Sequence, residues 1–276
     1  MSDNILITGA HGQLGTELGK LLPKAVLTDV ADLDITNEVA VKKYVSEYNI
    51  DTIINCAAYT AVDKAEDDEV LAAKINIDGP CNLAKSGAKV VHISTDYVFD
   101  GFGHKPYKPE DTAHPISIYG QTKLAGENKV MQYAKEAVII RTACMYSPYG
   151  NNFVKTMRRL GAENEILNVV ADQIGTPTYA ADLAQAIVQI LPQITEQNKG
   201  VYHFTNEGVC SWYDFARKIM ELSGLNCKVN PIPSSAYPTK AQRPFYSVLD
   251  KNKIKQTFNI NIQHWEEGLR KCLERL

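Results

Sequence analysis

Short apolar runs alternate with longer amphipathic stretches through the first half of the chain. Residues 4–8, 25–29, 52–55, 89–94 and 137–141 are apolar and of strand length, and the segments between them space their apolar residues at helical intervals. This β-α-β-α rhythm predicts a doubly wound parallel sheet covered on both faces, because parallel strands need crossovers and those crossovers are helices. The second helix shows its start, with Thr36 or Asn37 as N-cap ahead of Val39, Val41, Tyr44 and Val45 on one face.

Beyond about Arg141 the alternation loosens into loops rich in Gly, Asn and Pro, such as Ser147-Pro148-Tyr149-Gly150-Asn151-Asn152 and Pro231-Ile232-Pro233-Ser234-Ser235. A helix is still predicted over 211–223, with Ser211 as N-cap and Asp214 three residues on. Its apolar stripe, Trp212, Phe215, Ala216, Ile219 and Met220, reads as core packing. Two units follow: residues 1–149 with 181–206 for the sheet, and a smaller one from 150–180 with 207–276.

Composition narrows the classes. With 276 residues, 45% hydrophobic and 22% charged, the chain has room for one large α/β domain and a smaller one. A formal net charge of -3 with scattered positives draws it neither to nucleic acid nor to a membrane surface, so an anionic ligand must be gripped locally. The longest apolar runs, such as Ala137-Val138-Ile139-Ile140, fall far short of the roughly 20 residues of a membrane helix. Met1 leads straight into Ile5-Leu6-Ile7 without the pattern of a signal peptide, so a cytoplasmic protein is expected. Cys56, Cys81, Cys144, Cys210, Cys227 and Cys272 form no C-x-x-C, which suits reduced thiols and predicts neither disulfide nor metal site.

Candidate chemistry begins where the first strand ends. Gly9-Ala10-His11-Gly12-Gln13-Leu14-Gly15 joins it to the helical run from Thr16 to Leu22. Glycines at a strand-to-helix turn allow the tight bend and a close approach to a pyrophosphate, whose charge the free N–H groups at the helix start stabilise. The spacing is G-x-x-G-x-x-G, and its place after the first strand marks a Rossmann-type dinucleotide site. Asp29 closes the second strand 20 residues after Gly9, where a carboxylate can accept hydrogen bonds from an adenosine ribose. That favours NADH over NADPH, although His11 or a lysine could neutralise a 2'-phosphate.

The fourth strand ends in His92-Ile93-Ser94-Thr95-Asp96-Tyr97, placing polar groups at a strand's carboxyl end, where open α/β sheets bind their ligands. The third ends in Asn55-Cys56-Ala57-Ala58-Tyr59-Thr60, small enough for a cofactor to lie close over the sheet. Tyr119-Gly120-Gln121-Thr122-Lys123 opens a helix, and its i,i+4 spacing sets Tyr119 and Lys123 on one face. An ammonium beside a phenol favours phenolate and lowers the tyrosine's pKa, so the pair can protonate a carbonyl oxygen as hydride reaches its carbon.

With these motifs in this order the chain resembles the extended short-chain dehydrogenase/reductase superfamily and, more narrowly, its dTDP-4-dehydrorhamnose reductases. The likeness runs through Gly12-Gln13-Leu14-Gly15, Asp32-Leu33-Asp34-Ile35-Thr36, Ala57-Ala58-Tyr59-Thr60-Ala61-Val62-Asp63-Lys64-Ala65-Glu66, Ser94 to Gly101, Asn152-Phe153, Asp172-Gln173-Ile174-Gly175-Thr176-Pro177-Thr178 and Ala241-Gln242-Arg243-Pro244. It implies reduction of the C4 ketone of dTDP-4-dehydro-L-rhamnose by NADH or NADPH. Thr95, Tyr119 and Lys123 would be catalytic, Lys123 also holding the nicotinamide ribose. Gly9, Gly12, Gln13, Leu14, Gly15 and Asp29 would bind the dinucleotide, with Asp34 and Ile35 by the adenine and Ala57, Ala58, Tyr59 and Thr60 alongside. Thr60, Val62, Asp96 and Tyr97 would flank the sugar, and Asn152, Gln173 and Arg243 the nucleotide end, Arg243 suiting a diphosphate through its bidentate guanidinium. Where the family carries a tryptophan in an Arg-Thr-x-Trp run against the sugar, this chain has Arg141-Thr142-Ala143-Cys144.

Competing readings are a reductase, epimerase or dehydratase of another nucleotide sugar, and a non-catalytic subunit similar to the regulatory subunit of methionine adenosyltransferase. Similar dehydratases carry Thr-Asp-Glu with the glutamate as base, whereas this chain has Thr95-Asp96-Tyr97. Thr95, Tyr119 and Lys123 together favour the enzyme over the binding subunit. The expected partner is a nucleotide sugar rather than a nucleic acid or a membrane, and a homodimer is compatible with all of this.

Overall fold

The computed structural model describes residues 4–276. Strands β1 (Ile5–Thr8), β2 (Val26–Thr28), β3 (Thr52–Asn55), β4 (Lys89–Thr95) and β5 (Ala137–Thr142) follow the predicted runs to within a residue at each end. The chain continues through β6 (Met145–Tyr146), β7 (Ile166–Val170), β8 (Ile174–Gly175), β9 (Thr178–Tyr179), β10 (Gly200–His203), β11 (Cys210–Ser211) and β12 (Lys228–Ile232). Among the described residues six strands form the main sheet in the order β10-β5-β4-β3-β1-β2, all parallel. Strand order reverses between β1 and β3, and a crevice at the carboxyl ends opens there. β10 has no aliphatic run to announce it, beginning at Gly200 and ending at the fully buried His203.

Helices α1 (Gln13–Leu21), α2 (Glu38–Glu47), α3 (Val62–Ala65), α4 (Glu69–Ala73), α5 (Gly79–Ala84) and α6 (Ile118–Tyr133) belong to the first half. α7 (Phe153–Glu163), α8 (Ala180–Ile190), α9 (Trp212–Leu222), α10 (Asn252–Phe258) and α11 (Trp265–Leu273) follow. Successive strand residues serve opposite faces of the sheet. Ile7, Ile54, Val91 and Ile140 pack with Leu14 and Leu18 of α1 and Leu183 and Ile187 of α8, while Leu6 and Ile53 meet Val41, Val45 and Leu83 on the other side. A separate cluster of Val154, Met157, Phe215, Ile219, Trp265 and Leu269 joins α7, α9 and α11. Within 207–276, however, Ile254, Phe258 and Ile260 join the core of the sheet.

Local chemistry sets the helix starts. Asn37, not Thr36, caps α2, accepting from the Ala40 amide at 3.0 Å. Val39 leaves the predicted face and is 77% exposed, while Val41 and Val45 are buried. On α9 the capping box forms as predicted, Ser211 accepting from the Asp214 amide at 3.1 Å and Asp214 from the Ser211 amide at 3.0 Å. Phe215, Ala216, Ile219 and Met220 are buried, but Trp212, at the helix's first turn, overhangs the edge of that core and is only half-buried.

Candidate active site

The glycine loop is a cradle that side chains would fill. Gly9 has φ +65, and a Cβ there would lie 2.6 Å from the Ala57 nitrogen. A Cβ on Gly15 would lie 2.3 Å from the Gly9 carbonyl oxygen. Gly12 is less constrained, with φ -73 and a hypothetical Cβ 3.2 Å from that same oxygen. Gly12 is the N-cap of α1 and offers no capping side chain, and the first turn carries no acid. The positive end of the helix is therefore open to an anion.

Beside the loop lies a groove of about 460 Å³ at the carboxyl ends of β1 to β4. Gly9, Gly12, Gln13, Leu14, Gly15, Asp29, Asp34, Ile35, Ala57, Ala58 and Thr60 line it as foreseen, joined by Cys56, Ile75, Ile93, Met145, Gly150 and Asn151. A polar chain underlies its floor: Thr8 donates to Asn55 Oδ1 at 2.7 Å, the Ala57 amide donates to the same oxygen at 3.1 Å, and Asn55 Nδ2 lies 3.0 Å from His92 Nδ1. Asp29 Oδ2 accepts from the His11 amide at 3.2 Å. The Thr36 hydroxyl and amide hold the Asp34 carboxyl below its usual range. The structure fits a dinucleotide here, since the groove, the backbone cradle and the open helix end coincide. Tyr59, Tyr119 and Lys123 do not line the groove: the Tyr59 backbone is bound on both sides by Asn76, its ring packs with Ala65, Ala72 and Tyr119, and Lys123 turns to the Ile93 carbonyl oxygen.

α6 brings the reaction centre together. Ser117 caps it, accepting from the Gly120 amide at 3.1 Å, and Tyr119, Lys123 and Glu127 follow at four-residue spacing on its buried face. The Tyr119 phenol faces the Thr95 side chain at the end of β4, which favours its ionised form. Burial raises its pKa, correcting the expectation that Lys123 lowers it. The physical reason is that Lys123 is directed to the sheet, donating to the Ile93 carbonyl oxygen at 2.6 Å. Burial pulls the Lys123 ammonium down to about 8, against an upward pull from Glu127. Sequence reasoning missed Glu127: its carboxylate accepts from Arg141 Nη2 at 2.7 Å and from Arg141 Nε at 2.9 Å, and Ser94 also donates to it. The i+8 spacing from Tyr119 and the buried arginine on β5 were the available signals.

Beyond Thr95 a small cavity of about 50 Å³ is lined by Asp96, Tyr97, Cys144, Gln173, Cys210 and Trp212, among others. Cys144 adopts φ 43, unusual for a residue with a Cβ, and burial keeps its thiol protonated. Burial likewise raises Asp96 to about 6, partly offset by hydrogen bonds from Ser247 and Thr95. A larger cleft of about 480 Å³ adjoins, walled by Tyr97, Phe153, Met157, Leu167, Val169, Gln173, Trp212, Tyr237, Thr239 and Arg243. Arg243 is held at its edge by Asp63 Oδ2 at 2.6 Å and the Tyr97 hydroxyl at 3.1 Å. Val62 does not line either space and packs on the Tyr119 cluster. Asn152 does not line the cleft either; its side chain is engaged with Gln13 and the loop 147–152, so the nucleotide-end placement is corrected. Asp63 and Trp212 are additions, Trp212 bridging cavity and cleft because it sits at the exposed end of the α9 stripe.

Comparisons with known proteins agree with this geometry. The family model described as the RmlD substrate binding domain matches residues 3–276. A curated dTDP-4-dehydrorhamnose reductase from Aggregatibacter actinomycetemcomitans is 42% identical, covering 96% of this chain and 97% of its own. A dTDP-4-dehydrorhamnose reductase structure from Clostridium acetobutylicum superposes with a TM-score of 0.95 at 46% identity, over 99% of both chains. One from Bacillus anthracis, solved in complex with NADP, superposes at 0.96 with 42% identity over 100% of both. Among the described residues no helix is long and apolar enough to cross a membrane, and no cluster of ligand-type side chains could hold a metal ion. A glycine cradle, a Thr/Tyr/Lys centre and likeness along the whole chain thus lead to one conclusion: the protein belongs to the RmlD family, the dTDP-4-dehydrorhamnose reductases.

Proposed function

We propose that this protein reduces the C4 ketone of dTDP-4-dehydro-L-rhamnose to give dTDP-L-rhamnose. The observation that carries the reading is that Tyr119 faces Thr95 at the carboxyl end of β4, while Lys123, on the same helix face, reaches the carbonyl of Ile93, a residue that lines the glycine-cradle groove. When bound, a reduced nicotinamide dinucleotide supplies the hydride. Tyr119, kept protonated by burial, gives its hydroxyl proton to the C4 oxygen, and Thr95 holds phenol and ketone oxygen in line. Lys123, one turn along the same helix face, holds the nicotinamide ribose.

Gly9, Gly12, Gln13, Leu14 and Gly15 take the pyrophosphate, Asp29 the adenosine ribose, and Asp34 and Ile35 the adenine side. NADH is the favoured donor, because the Asp29 carboxylate would repel a 2'-phosphate. Asp96, Tyr97 and Cys144 face the sugar, with Trp212 supplying apolar wall beside Cys144. Gln173 and Arg243 serve the nucleotide end, where Arg243, already aligned by Asp63, meets the diphosphate. Residues 1–149 with 181–206 carry most of the dinucleotide site, and the remainder, with Asp96, Tyr97 and Cys144 from the sheet unit, the sugar nucleotide. The six free thiols support a reducing, cytoplasmic setting for the reaction.

The test is direct. Pure protein mixed with NADH and enzymatically prepared dTDP-4-dehydro-L-rhamnose should consume the nicotinamide absorbance and yield dTDP-L-rhamnose. Absence of oxidation with both NADH and NADPH overturns the reading.

A further inference from the structure

We infer that Asn152 is a positioning residue that couples occupancy of the dinucleotide groove to the shape of the nucleotide-sugar cleft through its hydrogen bond to Gln13. The inference rests on the proposed reading of those two sites.

One amide does two jobs here. Asn152 Oδ1 accepts from the Lys155 amide at 3.1 Å and so starts α7. Its Nδ2 donates to Gln13 Oε1 at 3.0 Å, to the Ser147 carbonyl at 2.8 Å and to the Tyr149 carbonyl at 3.3 Å. The fully buried Ser147 reinforces the link, donating to the same Gln13 oxygen at 3.3 Å. Gln13 is the first residue of α1, immediately after Gly12 in the cradle. A single amide thus ties the start of the cofactor helix to the start of the cleft helix.

The loop between them has both sites as neighbours. Gly150 and Asn151 line the groove, whereas Phe153 and Met157 of α7 wall the cleft. α1 grips the loop a second time further along: Lys20 donates to the Tyr149 hydroxyl, and Arg275, paired with Glu17 at 2.9 Å, donates to that hydroxyl at 3.0 Å. A ligand that settles Gly150 and Asn151 therefore settles Asn152, and with it the first turn of α7. A nucleotide against Phe153 and Met157 acts back along the same bonds, by the same factor, since coupling between two binding equilibria is reciprocal.

NADPH and dTDP are the probes, with affinities measured by calorimetry. In the native protein the Kd of dTDP should fall about 5-fold or more on saturation with NADPH, the lower range of measured couplings. Asn152→Ser keeps an oxygen to cap α7, since serine ranks with asparagine at this position, but is too short to reach Gln13. Its coupling ratio should fall most of the way to unity, the Tyr149 contact alone remaining, while its melting temperature stays near native. Gln13→Met removes the acceptor from the other side; alone it should lower the ratio as far, and added to Asn152→Ser it should change the ratio no further. Should Asn152→Ser not fold, Gln13→Met carries the same test.

A ratio of native size in either variant overturns the inference, as does a native ratio of unity with both ligands bound. A purely structural role would lower the melting temperature and leave the ratio intact. Should NADPH not bind, NADH takes its place in the same measurement, and failure of the native protein to bind either would instead bring down the proposed function.

Discussion

Replacing Glu127 by Gln removes the negative charge that joins the reaction-centre helix to β5. Arg141 and Glu127 are 5% and 2% exposed at their side chains, so neither can turn to water. Both Glu127 oxygens accept from Arg141, at 2.7, 2.9 and 3.2 Å, and Ser94 donates as well. Breaking a buried pair by neutralising one partner costs about 3–5 kcal/mol, because the other charge stays buried without compensation. A urea titration of Glu127→Gln should show that loss. Glu127→Leu with Arg141→Met removes both charges and should recover most of it, since apolar replacement of a whole buried pair is near neutral.

The same substitution reaches Lys123. Glu127 is the largest influence holding the lysine up against burial, so without it the ammonium titrates below its present value of about 8. An unfolded lysine titrates near 10.5. In the native protein the unfolded chain therefore binds more protons between about 8 and 10.5, and this group makes stability rise with pH across that window. Its burial penalty is complete below about 8 and gone above 10.5. In Glu127→Gln the window opens at lower pH. The alkaline limb of kcat/KM, which reports the free enzyme, should move the same way. A Glu127→Gln protein within about 1 kcal/mol of native stability, well under the range for a broken buried pair, and with an unmoved alkaline limb would refute the reasoning.

Three further outcomes are expected. Tyr119→Phe keeps the ring's packing and deletes the proposed proton donor, so kcat should fall about 10²- to 10⁴-fold with cofactor affinity retained; near-normal turnover with hydride transfer rate-limiting would assign the proton to another group. Gly15→Ala sets a methyl group 2.3 Å from the Gly9 carbonyl oxygen, so NADH binding by calorimetry should be lost or greatly weakened, and an unchanged Kd in a folded variant would remove the loop from the cofactor site. Asp29→Ala should raise kcat/KM for NADPH relative to NADH, and a native enzyme already strongly preferring NADPH would show that Asp29 does not set the choice.

Much of this was legible before any fold was known, because it is local. The aliphatic runs at 4–8, 52–55, 89–94 and 137–141 became strands within a residue of their expected ends, since a strand buried on both faces must be apolar along its length. The glycine loop and the four-residue spacing of Tyr119 and Lys123 were likewise readable, because turn geometry and helical period act over a few residues. The position of Asp29 beside the groove was readable for the same reason, since it follows a strand whose neighbour carries the loop.

What the tertiary structure alone decided involves partners distant in sequence. Glu127 is a helix residue like any other until Arg141 arrives beside it from β5. Asp63 meets Arg243 across 180 positions, and Asn152 meets Gln13 across 139, which turned an expected ligand contact into a brace for the loop. Trp212 looked like core because its spacing matched the stripe, yet it stands at the helix end where that core stops. The Tyr119 pKa was misjudged on the same ground: spacing put Lys123 on the right face, but the Ile93 carbonyl, supplied by β4, claims its ammonium, and burial in the assembled site lifts the phenol. Short-range order is written in residue pattern, whereas desolvation and long-range pairing exist only once the chain has closed on itself.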